Sequence, residues 1–269
     1  IRPMPTDAAF VIGTRHSVVA DPCQDYARAG DDWVAVADGC SNGGHTDMGA
    51  RIWVMAAKKM VEEHGVELLT QPKLFLEQLL EEGRARMQDI PVLDGLATLA
   101  VGGLVDKTFH AFLQGDGCVA VALANGGLEY WEIAAPNNAP LYPQYMLDAQ
   151  HLDQWRKMVC DVPTQVRMFR YDDGGTLQSI KTLELNEDLF FAKSWSTSEA
   201  YAMLVCSDGV FSVPNKTPFD VLSELFSVKD PTGAFMQRRL AAMQRGWARR
   251  KEDSCTDDLA VGGVWLPTP

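Results

Sequence analysis

An α+β fold, with an antiparallel strand core and helices packed outside it, is predicted for this chain on three observations. Element types come in blocks: an early strand, a helix pair, many strands, a second helix pair and a last strand. The middle third is a series of short apolar runs separated by turn residues. Each helix pair shows apolar residues at helical spacing. With 269 residues, 46% of them hydrophobic, the chain can bury a large core, and one domain spanning 1–269 is expected.

The elements follow in order. Phe10-Val11-Ile12 is a first strand candidate and Trp33–Ala37 a clearer one. Residues 47–63 place Met48, Ile52, Met55, Ala56 and Met60 on one stripe, with Thr46 or Asp47 as N-cap. Residues 72–89 open on Pro72 and align Phe75, Leu76, Leu79, Leu80 and Met87. A short loop between the two makes them an antiparallel pair. Strands are expected over 97–101, 109–113 and 119–123, then after the Asn125-Gly126-Gly127 turn over 128–133. Residues 134–164 hold four prolines and read as a long excursion. A hairpin follows, 165–171 and 176–183 around Asp172-Asp173-Gly174-Gly175. Strand 201–206, helices near 218–226 and 233–249, and strand 259–265 complete the series.

A formal charge of −12 argues against general nucleic-acid binding, which needs dense Lys and Arg. The one basic cluster, Arg238, Arg239, Arg245, Arg249, Arg250 and Lys251, reads as a solvated helix face, with an anionic-partner patch as the alternative. No apolar run is long enough to cross a bilayer, and Ile1-Arg2-Pro3-Met4-Pro5 does not read as a secretion signal. Six cysteines without a C-x-x-C pair argue against a zinc ribbon or a disulfide framework. A cytoplasmic monomer is expected.

Five segments end apolar or β-branched runs in aspartate: Cys23-Gln24-Asp25, Val36-Ala37-Asp38-Gly39-Cys40, Gln114-Gly115-Asp116-Gly117, Cys206-Ser207-Asp208-Gly209 and Cys255-Thr256-Asp257-Asp258. A buried carboxylate is costly unless something positive meets it, and converging carboxylates repel one another. Hard divalent cations resolve both problems, and an all-oxygen donor set suits Mg²⁺ or Mn²⁺. Each Asp-Gly also has a plain reading as a turn, which is strongest for Gly115-Asp116-Gly117. Five cysteines stand two residues from these aspartates. They read as small packing residues, with thiol oxidation as the alternative and Cys40 the most exposed of them.

In this order, from about Gly13 to Trp265, the segments resemble the metal-dependent protein phosphatases of the 2C type, in a bacterial-type branch. The resemblance implies two antiparallel β-sheets stacked as a sandwich and flanked by antiparallel helix pairs. It implies hydrolysis of phosphoserine and phosphothreonine in phosphorylated protein substrates, by direct attack of a metal-activated water. Two core Mg²⁺ or Mn²⁺ ions and a looser third are implied. By motif position, Asp38 bridges the core ions and the Gly39 carbonyl binds one of them. Asp208 and Asp257 hold the other, Asp25 acts through water, and Asp116 with Asp208 holds the third. Asp258 shapes the loop.

Two departures stand out. The arginine that grips substrate phosphate in better-known members falls at Ala20, leaving Arg15 or His16 to serve. Where many relatives carry a histidine after the Asp-Gly pair this chain has Cys40, with His45 five residues on. A pseudophosphatase or phosphoprotein-binding module is therefore the alternative function. A different metallohydrolase is a weaker one, because no histidine adjoins a motif aspartate as a ligand.

Overall fold

The structure, a computed structural model, describes residues 4–160, 162–185, 189–250 and 254–266. Ile1, Arg2 and Pro3 of the N-terminal segment and Lys251 of the basic cluster lie outside the described residues. Two antiparallel sheets form the centre. The larger runs in the order β1 (Thr6–Val11), β12 (Leu259–Trp265), β11 (Ala200–Cys206), β6 (Cys118–Leu123), β7 (Leu128–Ala134), β8 (Gln165–Tyr171) and β9 (Leu177–Glu184). The smaller runs β10 (Phe191–Ser196), β5 (Thr108–Gln114), β4 (Leu99–Val105), β3 (Trp33–Ala37) and β2 (Tyr26–Ala29).

Alternation along the central strands shows how the layers stack. Val34 and Val36 of β3 meet Met203 and Val205 of β11 and Ala260 and Val264 of β12 between the sheets. The intervening Trp33, Ala35 and Ala37 face α2 (Thr46–His64) and α3 (Pro72–Met87). Leu204, Cys206, Leu259 and Val261 face the opposite layer, α5 (Pro218–Phe226) and α6 (Phe235–Arg250). Both strand faces are buried, which is why these strands read as unbroken apolar runs. The sandwich flanked by helix pairs is the architecture expected. Among the described residues no helix is long and apolar enough to cross a membrane.

Several local expectations change. The first strand begins at Thr6 rather than Phe10 and ends at Val11, before a six-residue helix α1 (Thr14–Val19) that the sequence did not reveal. Helix α2 starts at Thr46, but Thr46 is not its N-cap. That position is His45, and the Thr46 hydroxyl instead donates to the Cys40 carbonyl at 3.0 Å. The excursion contains α4 (Ala149–Met158), whose Trp155 packs with Val159 and Leu141. Gly115-Asp116-Gly117 is not a hairpin turn: β5 and β6 lie in different sheets, and the segment crosses between them.

A buried polar pin ties the sheets together away from that crossing. Glu129 of β7 is 1% exposed and accepts the indole N–H groups of Trp131 at 2.7 Å and Trp195 at 2.9 Å. Trp195 belongs to β10 in the other sheet, and Arg170 closes the group with Nε 2.8 Å from the second carboxylate oxygen. Burial alone would raise the Glu129 pKa. The donors outweigh it and hold the carboxyl below its usual range.

Candidate metal centre

Strand ends place the acidic groups. Asp38 follows the last residue of β3, Asp116 lies on the crossing from β5 to β6, and Asp208 follows β11 at the start of a 3₁₀ helix, Asp208–Phe211. Each offers a carboxylate oxygen, and the three atoms lie within 4.8 Å of one another. Asp25 joins from behind. It is 1% exposed, its Oδ2 accepts from the Ser207 hydroxyl at 2.6 Å, and it contacts the Asp38 carboxyl. Its other oxygen is buried without a hydrogen-bond partner.

Backbone packing holds these groups in place. The Asp38 carbonyl accepts the Thr98 N–H at 2.8 Å, and the Asp38 N–H reaches the Thr98 hydroxyl at 3.2 Å. Ser207, bonded to Asp25, accepts the Ala260 N–H at 2.9 Å and so links β12 to the cluster. Gly39 and Gly209 are required by close approach. A Cβ on Gly39 would stand 2.6 Å from the Thr46 carbonyl oxygen, and one on Gly209 would stand 1.8 Å from that of Asp258.

The loop before β12 carries the remaining acids. Asp257 is half-buried at the rim, close enough to raise the pKa of Asp116 and Asp208. Asp258 turns inward and organises the loop, as expected. Its Oδ1 accepts the Gly13 N–H at 2.7 Å, and its Oδ2 the Gln24 N–H at 2.6 Å. His16 is 8% exposed, with Nδ1 2.9 Å from Asp258 Oδ2, an approach too oblique for a hydrogen bond. Arg15 extends the other way. Its side chain is 71% exposed, and Nη1 lies 3.9 Å from Asp257 Oδ2. His45 is exposed, and its backbone N–H donates to Asp94 Oδ1 at 2.7 Å.

Ser207, Thr98 and Tyr142 are parts of this site that the sequence reading missed. Ser207 stood inside a motif without being singled out. Tyr142 is buried in the excursion, where burial first and then the neighbouring Cys40 push its hydroxyl pKa upward. Cys118, Cys206 and Cys255 fit the packing reading, whereas Cys23 and Cys40 are only half-buried. Cys118 and Cys206 face each other across β6 and β11 and are fully buried. Burial also pushes the Cys255 thiol up to about 12, away from easy oxidation. Cys206 faces the α5–α6 layer.

Electrostatics supply the test of metal fit. Desolvation, then repulsion from neighbouring acids, raises Asp38 well above the usual carboxylate range. Desolvation and Asp208 push Asp116 up to about 8. A half-buried, hard-oxygen cluster backed by an orphaned oxygen on the buried Asp25 fits Mg²⁺ or Mn²⁺. The sign of the pH dependence follows. Unfolded aspartates release protons near the ordinary value of 3.8, whereas the folded cluster holds them to higher pH. The metal-free protein should therefore lose stability as pH rises from about 4 toward about 8. Saturating Mn²⁺ should restore it, most at the higher pH. A metal-free melting temperature that does not fall over this range would contradict the assignment.

The sequence profile described as protein phosphatase 2C matches residues 12–244, and the chain belongs to that family. No curated protein matches it in sequence. Its fold is similar to that of the serine/threonine phosphatase PstP/Ppp of Mycobacterium tuberculosis, at 17% identity and TM-score 0.56, covering 99% of this chain and 100% of that one. It is also similar to the serine/threonine phosphatase Stp1 of Staphylococcus aureus, at 10% identity and TM-score 0.58, covering 99% and 96%. The PstP catalytic domain in complex with two manganese ions matches at 15% identity and TM-score 0.52, covering 98% of each chain.

Proposed function

We propose that this chain is a metal-dependent serine/threonine protein phosphatase acting on phosphorylated proteins. The observation that carries the reading is the convergence of Asp38, Asp116 and Asp208 in a chain of the protein phosphatase 2C family. No observation favours a pseudophosphatase, since the carboxylates are retained and assembled. Bound to this donor set, Mg²⁺ or Mn²⁺ would supply Lewis acidity, activating water for attack on phosphorus and offsetting charge on the phosphoryl oxygens.

The residues divide the work. Asp38, the Gly39 carbonyl, Asp208 and Asp257 would hold the core ions, and Asp116 with Asp208 a third. Asp25, anchored by Ser207, would support the core from behind. Arg15 is the exposed cation at the rim and the better placed of the two phosphate-binding candidates. His16, turned against Asp258, would position the loop. Replacing Arg15 by Ala should raise KM for a phosphopeptide severalfold with little change in kcat, as loss of ground-state binding does. Unchanged kinetics would remove Arg15 from the site. The function itself is tested by release of phosphate from phosphothreonine and phosphoserine peptides with added Mn²⁺; no turnover on either would refute it.

A further inference from the structure

Helix α6 carries five arginines and no acidic residue, on a chain of net charge −12. Its inner face buries Phe235, Met236, Leu240, Met243 and Trp247 against the larger sheet. Arg238, Arg245 and Arg249, spaced by seven and four residues, share the exposed outer face. Arg245 and Arg249 have no ion-pair partner among the described residues. A solvated helix in an acidic protein usually intersperses both signs, so this single-sign stripe is unusual.

The start of the helix is placed at the end of the larger sheet remote from the metal centre, where Asp7 Oδ2 accepts the Met236 N–H at 2.6 Å. Asp7 pairs with Gly263 of β12, four residues beyond the Leu259 end that carries Asp257 and Asp258. Its C-terminal end, Arg250, lies seven residues before Asp257 in the chain. Arg15 stands beside Asp257 at the rim.

At the remote end the stripe opens on a cavity of about 370 Å³ lined by Lys229, Arg238, Ser227 and Thr232 among others. Arg238 is held rigid there, its Nη2 donating to the carbonyls of Thr232 at 2.7 Å and Asp230 at 3.2 Å. Asp230 also lines the cavity, with its Oδ1 occupied by the Thr232 hydroxyl at 2.8 Å.

We infer that the outer face of α6 is a docking track for an acidic segment of the phosphoprotein substrate, selecting phosphoresidues that have a run of Asp or Glu nearby. This rests on the phosphatase reading above and names a substrate class for it. Charge complementarity identifies the occupant: a polycarboxylate segment is drawn to the stripe and repelled by the rest of the surface. Sixteen helical residues span about 24 Å, the length of roughly seven extended residues, so the acids should lie within about ten positions of the phosphoresidue.

Two phosphothreonine peptides with one core sequence, one extended by six glutamates and one by six glutamines, test this with Mn²⁺-loaded protein. The acidic peptide should show a KM about fivefold to tenfold lower at equal kcat, a preference that fades in high salt. Arg245→Gln with Arg249→Gln should erase the preference, the paired Arg→Lys variant should keep most of it, and aryl phosphate hydrolysis should be unchanged in both. Equal KM values in wild type, or a preference that survives the Gln pair, would overturn the track. Fluorescence anisotropy with the unphosphorylated hexaglutamate peptide reads docking without turnover. Absence of phosphopeptide hydrolysis would sink the phosphatase reading while this binding still reported on the track. Binding of a single-stranded oligonucleotide or an anionic vesicle, with none of the peptide, would assign the face to another partner and refute the proposal.

Discussion

Replacing Asp38 or Asp208 by alanine is expected to lower kcat on a phosphopeptide by at least several hundred-fold, as loss of a main electrostatic element does. Each supplies one of the three convergent oxygens, and their carboxyls also contact each other. Removing either leaves fewer ligands and a wrongly spaced pair, so the cation site itself should weaken. Asp116→Ala should behave differently. Asp116 reaches the cluster from the crossing segment between β5 and β6, and its loss should slow turnover while Asp38, Asp208 and Asp257 retain their ions. Mn²⁺ titration by calorimetry separates the cases. Near-normal kcat in Asp38→Ala or Asp208→Ala would refute the assignment, and an emptied core site in Asp116→Ala would move that residue into it.

The largest stability effect is expected at Glu129. Alanine there strands the indole N–H groups of Trp131 and Trp195 inside the sandwich. At about 1–3 kcal/mol for each of the two buried unpaired donors, the loss should be about 2–6 kcal/mol. A chain of this size should then melt on the order of 10 °C lower. The half-exposed Arg170 adds little, because solvent screens its side of the pair. Since the Glu129 pKa is depressed, its contribution is present above the ordinary carboxylate range and fades as acid protonates it. Thermal unfolding of Glu129→Ala at neutral pH checks this; a melting temperature within a degree or two of wild type would show that the pin is idle.

What could be read from the sequence was what local chemistry determines. An apolar strand ending in Asp-Gly needs no partner to be recognised, and Asp38 and Asp208 stand where such endings predict. The two-sided burial of β3, β11 and β12 likewise shows as uninterrupted apolar runs. The missed parts depend on distant partners. Helix α1 is only six residues long, and its start is set by bonds from Thr14 and Arg15 N–H groups to the carbonyls of Cys255 and Thr256. Its opposed side chains, Arg15 outward and His16 inward, could not be assigned without that loop. Strands β2 and β10 escaped notice because they are edge strands, where exposed positions such as Arg28 and Ser194 break the apolar pattern. The inter-sheet role of Gly115-Asp116-Gly117 was invisible because a two-glycine turn reads as a hairpin wherever strands flank it.

If the convergent aspartates form a divalent-cation site that hydrolyses phosphate esters, phosphate release from a phosphothreonine peptide should follow the metal. Protein stripped of metal with a chelator should release none, adding Mn²⁺ or Mg²⁺ at millimolar concentration should restore release, and Asp38→Ala should not recover. Full activity in the stripped protein, or inactivity of the wild type with saturating metal, would contradict it.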